Sequence, residues 1–282
     1  VSTQSTGDME EIKSQYKENF DNSILYDLQF PLEYMIKLSN KYITKPLYSS
    51  TLSPQKRQRI FSWFQQVTIQ KKIPITILIR AVYFVDLYYS NIPFANNHPI
   101  ITQSKAMMKW QDYIIPSVLF DIAAKLENKR ILACVISTFE CNPTDMLDLE
   151  MSVLSALGYN VTMPTTVDFL STFAVELFSL KPISDLNRSV LPVSPTNDQK
   201  QRKFKISIDE FMTLAVEKAL SITINEISCG VSQIVLAAAI IVETIREIDK
   251  PMTKIIMKYI LDLGIEVNDV LKIVESNNRL FK

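Results

Sequence analysis

Apolar residues recur along most of the chain at the three- and four-residue spacing that one face of an α-helix requires. After Pro54, for example, Ile60, Trp63 and Phe64 stand at positions i, i+3 and i+4, which predicts a wide apolar helix face. Ser53 and Pro54 together predict where this helix begins, because serine caps a helix and proline fits its first turn. The pattern therefore indicates a protein built from amphipathic helices.

The same reading predicts a succession of helices from Pro31 onward, beginning with a short one. Two further helices are apolar on nearly all sides and are expected at the centre of the fold. Residues 181–205 are rich in Pro, Ser, Asn and Lys and predict a long surface loop. The predicted helices span about 31–43, 54–70, 76–90, 115–130, 131–139, 145–158, 166–178, 207–222, 230–248, 251–263 and 266–280.

The composition agrees with a helical protein and narrows the classes of function. Of the 282 residues only 4 are glycine, and 47% are apolar, which favours helices around a sizeable core. The net charge is zero, which argues against a surface that binds nucleic acid by neutralising phosphates. The longest apolar run, residues 234–242, is far shorter than the ~20 residues that span a bilayer. We therefore expect neither a membrane nor a nucleic acid as a direct partner.

The sequence offers little for catalysis or for a cofactor. Cys134, Cys141 and Cys229 are an odd set without a CxxC pair, and His98 is the sole histidine, so a zinc site is not expected. The cysteine usage suits a reducing compartment. A Gly-rich phosphate loop and a nucleophile elbow are both missing from the sequence. We expect a non-enzymatic protein without a cofactor.

Four charged residues stand where the pattern predicts burial. Lys125 follows two alanines in an apolar helix, and Glu150 lies on the apolar edge of the next amphipathic helix. A buried charge is costly unless it finds a partner. We expect Lys125 and Glu150 to pair with each other and with a group outside the chain; an ion pair serving only the fold is the alternative. Asp86 falls within another apolar helix, and Arg57 is its candidate partner.

These stretches together resemble the cyclin family. The matching pieces occur in the family's order along the chain, and the resemblance spans about residues 30–280. They are Arg57 and Trp63 of the first-box opening, Asp86 of the Tyr-Leu-Asp-Arg motif, Ala123-Ala124-Lys125-Leu126-Glu127 for Ala-Ser-Lys-Tyr-Glu, Leu149-Glu150 for Met-Glu, and Leu157-Gly158-Tyr159 followed by Pro164 for Leu-Gly-Phe and Pro.

The resemblance implies an all-α protein with two tandem five-helix cyclin folds and an N-terminal helix. Residues 1–54 are then an N-terminal extension with a short helix, and residues 55–163 the first cyclin box. Residues 164–282 are a second cyclin-like fold that carries the surface loop at 181–205. The expected location is the nucleus or cytoplasm of a eukaryotic cell.

The resemblance also implies a function and a set of site residues. Cyclins are regulatory subunits that form a heterodimer with a cyclin-dependent protein kinase and activate it by positioning the kinase's C-helix. Arg57 with Asp86 matches the family's internal salt bridge, a structural role. The residues that match the family's kinase-binding surface are Lys125, Leu126, Glu150, Leu154, Tyr159 and Val161.

One surface departs from the family pattern. The substrate-docking patch of mitotic and S-phase cyclins has apolar residues where this chain has Lys56 and Arg59, so only Ile60 and Trp63 remain of it. We therefore do not expect recruitment of Arg-x-Leu substrates through this patch, although substrates or inhibitors of the kinase are further candidate partners.

A second function shares the same fold. Transcription factors of the IIB type also contain cyclin folds and bind DNA or the transcription machinery. The neutral charge and the lack of a zinc-ribbon cysteine set argue against this alternative.

Overall fold

The computed structural model describes seven stretches of the chain, and these are almost entirely helical. In these stretches we find eleven α-helices, one 3₁₀ turn and no strand, so the all-α fold expected from the sequence is confirmed. Among these helices none meets the length and apolarity that crossing a lipid bilayer demands. The described residues are 31–44, 51–91, 101–102, 105–129, 139–179, 206–224 and 228–280.

The helices follow the predicted order with small changes at their ends. They are α1 (Leu32–Lys41), α2 (Pro54–Lys71), α3 (Ile75–Asn91), α4 (Lys105–Lys109), α5 (Gln111–Leu126), α6 (Pro143–Ala156), α7 (Thr166–Ser179), α8 (Ile208–Ile224), α9 (Gln233–Ile248), a 3₁₀ turn (Lys250–Met252), α10 (Thr253–Asp262) and α11 (Val267–Leu280).

Two local predictions can be compared with these bounds. Ser53 does cap α2, because its Oγ accepts the N–H of Lys56 at 3.2 Å. The predicted start of α5 near residue 115 is wrong, since the helix begins at Gln111 and contains Pro116 in its interior. The residues around Pro116 are buried, and their packing outweighs the cost of a proline within a helix.

Several predicted features lie outside the described residues. These are the loop at 181–205, His98, Cys134 and all but the last residue of the helix at 131–139.

The first group of helices, α2–α6, packs around α3 and α5, which contact each other along their lengths. All of α3 from Ile75 to Ser90 is buried except Arg80, as its nearly continuous apolar sequence predicts. The rings of Phe64 on α2 and Phe120 on α5 lie 4.6 Å apart and join these two helices. The packing of α5 against α3 thus fixes the position of the end of α5, and α6 packs against α5.

The second group, α7–α11, packs around α9, which contacts every other helix of the group. Three consecutive alanines of α9, 237–239, are buried and let the neighbouring helices approach closely. Helix α1 packs against α7 and α9 of this group, and the carbonyl oxygen of Tyr42, just after α1, accepts a hydrogen bond from the Tyr83 hydroxyl on α3 at 2.8 Å. The Oγ of Ser39 accepts the N–H of Ile234 at 3.3 Å, and Thr44 Oγ1 accepts that of Gly230 at 3.0 Å.

One buried arginine joins the two groups of helices. Arg57 on α2 donates from Nε and Nη2 to the two carboxylate oxygens of Asp86 on α3, at 2.8 and 2.9 Å. Its guanidinium also donates to the carbonyl oxygens of Thr223 (2.8 Å) and Ile224 (3.0 Å), in the last turn of α8. The last carbonyls of a helix lack partners within it and carry partial negative charge. One cation on α2 therefore satisfies groups on two other helices, α3 and α8.

A second arginine makes a parallel link nearer the surface. Arg80 on α3 lies 2.8 Å from Asp168, in the first turn of α7, and 3.5 Å from Glu127, just beyond the end of α5. Burial raises the pKa of Glu127, although Arg80 and the hydroxyl of Thr76 act in the opposite direction. This link holds the end of α5 close to α3 in the first group and to α7 in the second.

Replacing Arg57 with alanine tests the buried junction. The Arg57→Ala variant leaves the Asp86 carboxylate and two helix-end carbonyls without their donor. Because breaking a buried ion pair on one side leaves an uncompensated charge, we expect the free energy of unfolding to fall by about 3–5 kcal/mol. Urea unfolding followed by circular dichroism measures the loss.

The matched control is Arg59→Ala on the same helix. The Arg59 side chain is 62% exposed, and even its nearest carboxylate, that of Asp112, is 4.0 Å away. We therefore expect the free energy of unfolding to fall by about 0–1 kcal/mol. Equal losses in the two variants would contradict the role assigned to Arg57.

Candidate partner-binding face

Lys125 in the last turn of α5 contacts two carboxylates. Its Nζ lies 2.5 Å from Glu150 Oε1 on α6 and 2.9 Å from Asp121 Oδ2, one turn earlier on α5. The structure thus brings together the two charges that the sequence predicts to pair. It adds Asp121, which sequence reasoning missed although an Asp four residues before a Lys on a helix is a recognisable pairing signal.

The three charged groups differ sharply in burial. The Asp121 side chain is 1% exposed and that of Glu150 is 12% exposed, whereas the Lys125 side chain is 35% exposed. Burial by itself lowers the pKa of Lys125, but the hydrogen bonds to Glu150 and Asp121 outweigh it and raise the pKa. The ammonium group therefore stays charged near neutral pH, and one of its three donors remains for an outside acceptor.

Helix α6 carries two apolar stripes, and only one of them faces the core. Met146, Leu149 and Val153 are buried. Leu147 and Met151, by contrast, are 52% and 55% exposed, and both flank Glu150 on the helix surface. Sequence reasoning recognised the first stripe and missed Leu147 and Met151. Their spacing of four residues is the signal that could have found them.

The remaining predicted contact residues extend this exposed surface at its ends. Leu126, next to Lys125, and Tyr159, just after α6, are both exposed. Tyr159 has φ = 57°, and its N–H bonds to Leu154 O at 2.8 Å. A left-handed conformation is unfavourable for a bulky residue. This backbone hydrogen bond helps to offset that cost. Leu154 and Val161 are half-buried.

We call this surface the α5–α6 face. It consists of Lys125, Leu126, Leu147, Glu150, Met151, Leu154, Tyr159 and Val161.

The residues at the substrate-docking position form a different kind of surface. Ile60 is buried, and the half-buried Trp63 packs its ring against three other aromatic side chains. The Lys56 side chain is also buried, with Nζ 2.8 Å from Asp112 Oδ1. Arg59 is the exposed member of the set. At these four positions α2 therefore presents a cation to solvent and not an apolar side chain.

The acidic and cysteine side chains of the described part of the chain were the candidates for metal binding and nucleophilic chemistry. Within it, no group of three or more His, Cys, Asp and Glu side chains is placed to hold a metal ion. Cys141 and Cys229 are buried free thiols. Burial, with a further contribution from the Asp86 carboxylate, raises the pKa of Cys229 to about 12. This thiol is therefore protonated at neutral pH and is a poor nucleophile.

Comparison with known proteins indicates a family. The family model described as the cyclin N-terminal domain matches residues 31–162. The protein is cyclin-like over this range. The matched range contains α1 to α6, and so includes the whole α5–α6 face.

A curated relative agrees with this assignment. Cyclin-A3-3 of Arabidopsis thaliana is 26% identical to this protein over 151 residues, which make up 50% of this chain. The matched region spans 42% of the relative's own length.

The arrangement around Lys125 predicts that removing the Lys125 charge lowers the free energy of unfolding more than removing the Glu150 charge does. Lys125→Met removes the ammonium group that lies 2.9 Å from the buried Asp121 carboxylate, so we expect the free energy of unfolding to fall by about 1–3 kcal/mol. Glu150→Gln keeps the Lys125–Asp121 contact and should cost less. Adding Asp121→Asn to Lys125→Met removes the buried negative charge as well and should restore part of the loss. Urea unfolding of all three variants checks this, and an equal cost for the two single variants without restoration would contradict it.

Proposed function

We propose that this protein is a cyclin, a regulatory subunit that binds a cyclin-dependent protein kinase and activates it without being an enzyme itself. The α5–α6 face is the observation that carries the proposal. It combines a prearranged ion pair with exposed apolar side chains on one helix surface. The resemblance to cyclins implies that Lys125 and Glu150 hydrogen-bond backbone groups around the kinase's C-helix.

The chemistry of the face suits the end of a partner helix. Helix ends have backbone N–H or C=O groups without partners in the helix. Lys125 has a donor available to such a carbonyl, and the Glu150 carboxylate can accept from an N–H. Because Asp121 already holds Lys125 in place, little side-chain freedom is lost on binding. The polar groups of the face would therefore orient a partner helix.

The apolar part of the face would supply binding energy. Leu147 and Met151 are each more than half exposed, and Leu126 and Tyr159 are exposed beside them. Burial of apolar surface contributes roughly 25 cal/mol per Å² removed from water. A partner helix packed along α6 would cover Leu147, Met151 and Leu154 together, since these residues share one side of α6.

Activation then follows from where the partner helix is held. An active protein kinase requires the ion pair between its β3 lysine and the glutamate of its C-helix. A cyclin that binds the inward position of this helix better than the outward position shifts the kinase towards its active state. Within this proposal, residues 55–163 form the first cyclin fold and provide the face. Residues 164–282 form the second fold and support the first through Arg57.

Aspartate substitutions on the exposed stripe of α6 test the proposal. We expect Leu147→Asp and Met151→Asp to weaken binding to a cognate kinase by about 10- to 100-fold, because each places a charge in a buried interface. Kinase activation should fall in parallel. The measurement is a titration of purified cyclin-dependent kinases, one at a time, by biolayer interferometry, together with phosphate transfer to a model peptide.

The matched control is Leu261→Asp on α10. Leu261 is as exposed as Met151 but lies outside the α5–α6 face, so kinase binding should be unchanged. The proposal would be wrong if no kinase of the panel bound the unmodified chain, or if Leu261→Asp weakened binding as much as Met151→Asp.

A further inference from the structure

A cleft of about 610 Å³ lies on the second group of helices, away from the residues considered so far. Its walls are α1, the turn before α9, the first turn of α9, the turn between α10 and α11, and α11 itself. None of the residues that line it belongs to the α5–α6 face or to the Arg57 junction. The volume is within the usual range of ligand-binding clefts.

The cleft is apolar inside. Ile36 on α1, Val235 on α9, Ile265 in the α10–α11 turn and Ile273 on α11 provide its aliphatic surface. Ile43 lies at its edge and is exposed. Such a lining favours a bulky apolar side chain over a polar or charged one.

A serine hydroxyl also lies in the wall. Ser232 precedes α9 in the capping position, and its side chain makes no capping hydrogen bond. It lines the cleft. A hydroxyl that is not engaged in capping can both donate to and accept from a bound segment. On α1, the exposed amide of Asn40 also lines the cleft.

The rim carries an excess of negative charge. Asp269 and Lys272 form an ion pair with a 2.9 Å contact. Glu266 lines the same cleft, and its carboxylate has no ion-pair partner among the residues whose structure is described. A cation that binds beside the apolar floor would neutralise Glu266 at little cost in desolvation, since the rim is open to water.

We propose that this cleft docks an extended segment of a partner protein that carries a bulky apolar residue close to a lysine or arginine. The apolar side chain fills the space between Ile36, Val235 and Ile273, and the basic side chain pairs with Glu266. The amide of Asn40 has both a donor and an acceptor, which suits the backbone of an extended segment. This proposal is independent of kinase binding, because no residue of the α5–α6 face takes part.

The test begins with a random twelve-residue peptide library displayed on phage and selected on the immobilised full chain. The enriched sequences should share a bulky apolar residue within a few positions of Lys or Arg. One enriched peptide is then synthesised with a fluorescein label, together with a copy in which the basic residue is Glu. Binding of both peptides is measured by fluorescence anisotropy.

Charge reversal at the rim gives the decisive comparison. We expect Glu266→Lys to weaken binding of the basic peptide about tenfold or more and to strengthen binding of its Glu copy, because like charges facing each other are costly. Ile43→Asp, at an exposed position of the cleft edge, should weaken binding of both peptides. Glu275→Lys makes the same charge change at an exposed position of α11 outside the cleft and should leave both peptides unaffected.

Three results would overturn the proposal. One is a library selection that enriches no sequence. Another is an enriched set without basic residues. The last is equal weakening by Glu266→Lys and Glu275→Lys, which would show that net charge and not the cleft controls binding.

Discussion

The buried pair of Arg57 and Asp86 is the constraint on which the rest of the structure depends. Both side chains are more than nine-tenths buried, so neither charge is tolerable without the other. The remaining donors of the guanidinium reach the last turn of α8. The requirement to satisfy one buried cation therefore fixes how the first group of helices meets the second. It also holds α3 in place, and α5 packs along α3.

The α5–α6 face follows from this packing. Because α5 is buried from Ile114 to Ala124 and packs along α3, its last turn is where the helix returns to the surface beside α6. Lys125 occupies that turn and is anchored by Asp121 from inside and by Glu150 from α6. The Lys125 side chain is thus partly exposed to a partner, and its two contacts restrict the conformations that it can adopt. The cleft beside α1 is separate from this face, so the two proposed contacts do not compete for the same residues.

Residue type and spacing were enough to predict the interactions of charged side chains that lie in apolar stretches. A charge in an apolar helix requires a partner, and this rule alone pairs Arg57 with Asp86 and Lys125 with Glu150. The carbonyls of α8 that complete the Arg57 site could not be predicted, because backbone groups are the same at every residue. The spacing of Leu147 and Met151 places them on one helix face, but only the orientation of α6 shows that this face is turned to solvent. The cleft was equally invisible, since its walls come from three separate parts of the chain.

The central claim is that the α5–α6 face is the surface that meets the kinase. Hydrogen exchange measured by mass spectrometry, on the full chain alone and saturated with a cyclin-dependent kinase that binds it, tests this claim most directly. The account predicts slower exchange in the complex for peptides that cover 121–129 and 143–161, where α5 ends and α6 lies. A stable complex with unchanged exchange in these peptides, and protection elsewhere, would contradict it.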